Sequence, residues 1–281
     1  MAGLSLKHPF VATLLLAIFY AGLPVRAHAT HSWGGYHWAR TANPFSLKLG
    51  NNVSSTWKPY LDTTASDWNS VPAALFPAPA IMPADVLDLV IVAGGTKAKP
   101  CKATSGRVEV CSASYGFTGW LGIAQISISG SHITAGTTKI NDSYFNTSTY
   151  NTPAWRRLVM CQEVGHTFGL DHQDEAFDNP NLGTCMDYTN DPDGSLLHQL
   201  SNEHPNAHDY EELASIYAHV DSSTTVKQTT ASGALPPLNV DLDSVRHWGR
   251  LVKSSNGGRT ETYELDLGQG QKLLTFVIWA L

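Results

Sequence analysis

The stretch 162–172 reads Gln-Glu-Val-Gly-His-Thr-Phe-Gly-Leu-Asp-His, and its side chains include several that can bind a metal ion or carry a proton. On an α-helix, residues four apart project about 40° from each other, so Gln162 and His166 point from one face toward one ion. Glu163 is turned too far round to share that coordination plane, but it is placed to hydrogen-bond a water held on the metal. Gly169 lets the chain leave the helix sharply, so that His172 can return as a third donor.

The segment must then be helical, and the sequence predicts a helix over 154–170. Pro153 marks its start, Leu158, Val159 and Val164 supply apolar positions, and Gly169 closes it. A polar loop over 171–208 leads to a second helix over 209–220, with Tyr210, Leu213, Ile216 and Tyr217 on one face. Upstream, short strands are expected at 36–40 and 45–49. A helix begins at 54 or 55 and runs to 68, carrying Trp57, Tyr60, Leu61, Ala65 and Trp68 on one face with Pro59 in its first turn. The Pro-rich stretch 72–83 is a loop. The aliphatic run 86–93 reads as a strand buried on both faces, and strands at 120–129 and 132–141 flank a turn at 129–131. A Ser/Thr/Gln-rich linker at 223–235 precedes a small β-rich extension at 236–281, with strand-like runs at 261–267 and 273–280. The expected class is α+β.

With 281 residues, 42% of them hydrophobic and 15% charged, the chain can build one core of roughly 150–200 residues plus an appendage. Its net charge of −6 and the absence of any basic run exclude nucleic acid as a partner. Lys7 and His8, an apolar stretch from Phe10 to Leu23, and Ala27-His28-Ala29 mark 1–29 as a signal peptide. The apolar stretch is shorter than the roughly 20 residues needed to span a bilayer, so a secreted protein with no stable membrane anchor after cleavage is expected. Four cysteines in an exported chain suggest two disulfides, for which three pairings exist. The simplest is a hairpin staple between Cys101 and Cys111 around turn residues 104–106, which leaves Cys161 with Cys185.

On the residues of 162–172 the chain resembles the metzincin zinc metalloproteases, whose signature is H-E-x-x-H-x-x-G-x-x-H followed by a Met-turn. The stretch 166–172 is similar to the matrixin version, and Met186-Asp187-Tyr188 resembles the Met-x-Tyr turn of astacins and serralysins. The resemblance covers roughly 31–222. It implies a zincin/metzincin-like catalytic domain over 30–222: a mixed, mostly parallel twisted sheet with an active-site helix and a C-terminal helix. It further implies Zn2+ held by Gln162, His166 and His172, Glu163 as the base acting on a metal-bound water, and Tyr188 steadying the oxyanion. The function implied is a secreted metalloendopeptidase acting on a protein or peptide substrate. A Cys161–Cys185 bridge would tie the helix to the turn carrying Met186 beneath the metal.

One position departs from the family pattern: Gln162 stands where the first histidine is expected, and an amide oxygen is a poorer zinc donor than imidazole nitrogen. Gln162 ligates through its oxygen, or Tyr188 completes the shell, or the site has lost its metal. Two other functions follow from the last reading: a catalytically impaired pseudo-metalloprotease that binds peptide in the same cleft, and a surface-binding protein acting through its C-terminal β segment.

The remaining conspicuous residues have plainer readings. His31, His37, His132, His198, His204, His208 and His219 are expected on the surface or in packing, and Asp187, Asp191 and Asp193 in an ordinary acidic turn. Trp33, Trp38, Trp57 and Trp68 are expected in the core. No Gly-x-Ser-x-Gly elbow, phosphate loop or dinucleotide fingerprint is present.

Overall fold

A single sheet of nine strands organises the molecule. The computed structural model describes residues 31–80, 82–226 and 241–280; the expected signal peptide and most of the expected linker lie outside the described residues. In chain order the strands are β1 (His37–Trp38), β2 (Phe45–Asn52), β3 (Leu87–Ala93), β4 (Val108–Ala113), β5 (Trp120–Ser129), β6 (His132–Asn141), β7 (Arg250–Ser255), β8 (Thr260–Gly268) and β9 (Gln271–Trp279). The helices are α1 (Lys58–Asn69), α2 (Asp142–Phe145), α3 (Pro153–His166) and α4 (Ala207–Ile216). The sheet runs β3-β2-β4-β6-β5-β9-β8-β7, and β1 pairs separately with β6. Its first half is parallel (β2 with β3 and β4, β4 with β6), whereas β5, β9, β8 and β7 are antiparallel to their neighbours. The protein is thus α+β, with a mixed sheet and few helices.

β5 and β6 are buried almost throughout, because both their faces are covered. On one face α3 packs against both strands and against α1, burying Leu121, Ile126, Val159, Val164 and Phe168 in the main core. On the other, Tyr115, Trp120, Ile123, Trp248, Tyr263 and Val277 form a second apolar cluster. Here Lys139 is buried with its ammonium 2.6 Å from Asp243, and Trp120 Nε1 donates to the Asp243 carbonyl. Burying an ammonium is tolerable because a carboxylate meets it there.

Several expectations need revising. β3 buries Leu87 and Leu89 but leaves Asp88 and Val90 exposed. It is an edge strand with α1 on one face only, so it is not buried on both. The expected hairpin around Cys101 and Cys111 does not form. The two cysteines are bonded, but Cys111 lies in β4, a parallel strand between β2 and β6, and Cys101 lies in the loop before it. β4 was hidden because its partners are remote in sequence. α3 ends at His166, four residues early. Thr167, Phe168 and Gly169 donate backbone bonds to Val164, Gly165 and His166, a tightening three-residue pattern that terminates the helix. α4 starts two residues earlier than expected, since Asn206 and Asp209 cap it reciprocally.

The strands expected in a small extension continue the main sheet. β9 pairs with β5 from Trp120↔Trp279 to Ser129↔Gln271. Leu274, Phe276 and Ile278 join the main core, and Val277 the second cluster. Without β9, the last strand beside α3 would present a row of unpaired N–H and C=O groups.

Candidate metal centre

The sequence around α3 builds the site from the helix outward. Thr152 caps α3 by accepting from the Trp155 N–H at 3.2 Å, and Pro153 occupies its first turn. The helix approaches β5 closely at Gly122, where a Cβ would lie 2.7 Å from Glu163 Oε1 and 2.8 Å from a Val159 methyl. From the other side Met186 rests against Gly165, where a Cβ would come within 2.7 Å of its sulfur. The Cys161–Cys185 disulfide ties α3 to the residue preceding Met186. Gly169 adopts a φ of +107°, turning the chain back so that His172 faces His166.

Both histidines are locked in the same tautomer. The His166 Nδ1–H donates to the Leu170 carbonyl at 2.8 Å, and the His172 Nδ1–H to Glu175 Oε1 at 3.1 Å. Each ring is thereby left with a bare Nε2 lone pair, and these two nitrogens lie 3.0 Å apart. Two lone pairs at that separation repel unless a cation stands with them. Gln162, also on α3 and buried, has a side-chain nitrogen without a hydrogen-bond partner, and neither oxygen of the fully buried Glu163 has one. An orphaned amide, an orphaned carboxyl and two imidazoles aimed at each other are a donor set that fits zinc.

Burial dominates the proton affinities here. It pushes the Glu163 carboxyl well above the usual carboxylate range. Burial, and secondarily the neighbouring His172, pushes His166 well below the ordinary imidazole value. Burial likewise raises Tyr188, whose ring packs on His172 with centroids 4.5 Å apart and whose hydroxyl donates to the Val277 carbonyl at 3.3 Å. Burial would raise Glu175 too, but His172, Lys253 and Ser255 hold it down to about 2.

No family model, curated protein or solved structure matches the chain. The geometry therefore has to carry the interpretation. It brings His166 and His172 into contact, with Tyr188 against His172 and Met186 under α3. Tyr188 directs its hydroxyl to β9, away from the paired Nε2 atoms' shared position in hydrogen-bonding terms.

Sequence reading missed what lies over the site. Phe276 of β9 stacks on His166, with centroids 4.7 Å apart and planes 10° from parallel, and Trp33 meets Phe276 edge-on. Lys253 of β7 places its ammonium 2.7 Å from Asp171 and 2.8 Å from Glu175. Asp171, His172 and Glu175 also cluster closely enough to suggest a cation site, but the Lys253 ammonium already supplies the positive charge. No local pattern marks Phe276 or Lys253, since both act across about 80 residues or more of chain. Asp187, Asp191 and Asp193 take backbone N–H donors from Leu182, Leu196, Leu197 and Ser195, which is the bonding of a tight acidic turn.

Among the described residues no helix is long and apolar enough to cross a membrane.

Proposed function

We propose that this chain is an exported zinc-dependent endopeptidase of the zincin type, with Gln162, His166 and His172 holding the metal. The observation that carries the reading is the pair of bare Nε2 atoms 3.0 Å apart beside a buried carboxyl with no partner. Zinc bound there would supply Lewis acidity to a water and to the scissile carbonyl. Glu163, whose burial favours its protonated form, accepts the proton of the attacking water and delivers it to the departing amine. Glu175 orients His172 through its Nδ1–H, and the Leu170 carbonyl does the same for His166.

In the conformation described, Gln162, Glu163, His166, His172 and Tyr188 are all buried. A peptide pairing with the β5 edge would need β9 to yield its place there. The reading is thus of an enzyme in a closed form. A second reading, a pseudo-protease, is favoured by the amide at Gln162 and by Phe276 lying flat on His166; it predicts zinc or peptide binding without cleavage.

Zinc content and casein hydrolysis of the purified protein, compared with Glu163→Gln, separate these readings. Near-stoichiometric zinc with hydrolysis that falls at least a hundredfold in the variant is the expected result. Hydrolysis unchanged in Glu163→Gln, or zinc far below stoichiometric, overturns the peptidase reading.

A further inference from the structure

Far along the chain from α3, three imidazoles and a carboxylate meet at one point. His37 lies in β1, His132 opens β6 beside it in register, and His219 and Asp221 follow α4. Asp221 Oδ1 is 3.4 Å from His37 Nε2 and 3.2 Å from His132 Nε2. His219 Nε2 is 3.2 Å from His37 Nε2 and 3.8 Å from Asp221 Oδ1. The donor atoms of His37, His132 and Asp221 all fall within 4.8 Å of one another. Four ligands arranged tetrahedrally at the usual zinc distances are separated by about 3.3–3.4 Å, and the observed separations bracket that value.

The orientation of the groups is as specific as their spacing. The His37 Nδ1–H donates to the Gly35 carbonyl at 2.7 Å, so its Nε2 lone pair faces inward. The other carboxylate oxygen of Asp221 accepts from Arg40 Nη1 at 3.0 Å and from the Arg40 N–H at 3.1 Å, which turns Oδ1 toward the imidazoles. Arg40 Nη2 also donates to the His219 carbonyl. These outer contacts hold the ligand atoms in place, the usual arrangement around a metal-binding histidine. As they stand, a bare nitrogen of His37 confronts a carboxylate oxygen and a second imidazole nitrogen, a grouping that a cation would resolve.

We propose that His37, His132, His219 and Asp221 bind a zinc ion at a second site, independent of the α3 centre. Four protein ligands leave no open position, so the ion is structural. It clamps β1, the start of β6 and the chain beyond α4, segments separated by as many as 184 residues. His219 is 56% exposed at its side chain, so the ion can enter from solvent without unfolding of the sheet.

The test uses the full chain freed of metal by chelator, titrated with ZnCl2 and followed by calorimetry and thermal melting. His219→Ala and His132→Ala, both partly exposed positions, are each compared with His166→Ala, with near-ultraviolet circular dichroism to verify folding. The expected result is that each of the first two loses one zinc equivalent, or binds it at least tenfold more weakly, with loss of its zinc-induced rise in Tm. His166→Ala retains that equivalent. Unchanged stoichiometry and affinity in folded His219→Ala overturns the proposal, as does loss of all zinc in folded His166→Ala. Since His166→Ala probes the α3 centre separately, failure of one site is distinguishable from failure of the other.

Discussion

At Gln162, a single donor atom governs how strongly the α3 centre holds its metal. Gln162→His replaces an amide with an imidazole, so zinc should bind at least tenfold more tightly in chelator competition, with peptidase activity equal or greater. Weaker zinc binding in a folded variant would show that the glutamine has a different role. A second residue-scale prediction concerns Asp209 and His31, whose Oδ1 and Nε2 lie 3.5 Å apart. Burial pushes His31 down to about 4 and Asp209 up to about 7. The His31 Nδ1–H is committed to the Asp171 carbonyl, so the pair is neutral in mildly acidic solution, with the carboxyl proton facing a bare Nε2. For Asp209 the folded value lies above the ordinary 3.8; its contribution to stability is full below 3.8 and is lost as pH rises to about 7. For His31 the folded value lies below 6.5; its contribution is full above 6.5 and is lost as pH falls to about 4. Asp209→Asn removes the first effect alone. Its Tm relative to the unsubstituted protein should therefore climb between pH 4 and 7 and stay level above, and a pH-independent difference counts against this assignment.

Among the elements, α3 bears the most. Removing its cap with Thr152→Ala leaves the Trp155 N–H without its acceptor and should destabilise the protein by about 1 kcal/mol in denaturant unfolding. The Cys161–Cys185 bridge closes a separation of 24 residues, so replacing both cysteines with serine should lower stability by about 3–4 kcal/mol. It should also loosen Met186 beneath Gly165. A double-serine variant as stable as the parent would show that packing alone holds the turn. α3 was legible because Pro153, the apolar positions and Gly169 are local signals, and so were β5 and β6. β4 was not, because Val108–Ala113 takes its identity from β2 and β6, which contact it only after the chain has crossed over.

For the whole molecule, the decisive feature is that the C-terminal strands join the sheet that carries the metal centre. Lys253 anchors β7 to Asp171 and Glu175, and Ser255 Oγ donates to Glu175 at 2.5 Å. If the closed form limits substrate access, Lys253→Ala should raise hydrolysis of a fluorogenic peptide severalfold while zinc content stays the same. Equal or lower activity, in a variant whose amide exchange along β9 is unchanged, would leave β9 as a purely structural strand.

What the sequence determined by itself was local. Spacing on one helix was enough to align Gln162 with His166, to set Glu163 beside them, and to let Gly169 return His172. Turn chemistry and apolar periodicity were enough to locate most strands. Tertiary structure decided everything that depends on contacts between remote segments. It set the bare Nε2 atoms 3.0 Å apart, laid Phe276 over His166, and gathered His37, His132, His219 and Asp221 from three parts of the chain. Those histidines read as ordinary surface or packing residues because an isolated imidazole has no periodicity and no partner within reach. A ligand set becomes visible only when a β-register and the end of a helix have brought its members within one coordination sphere.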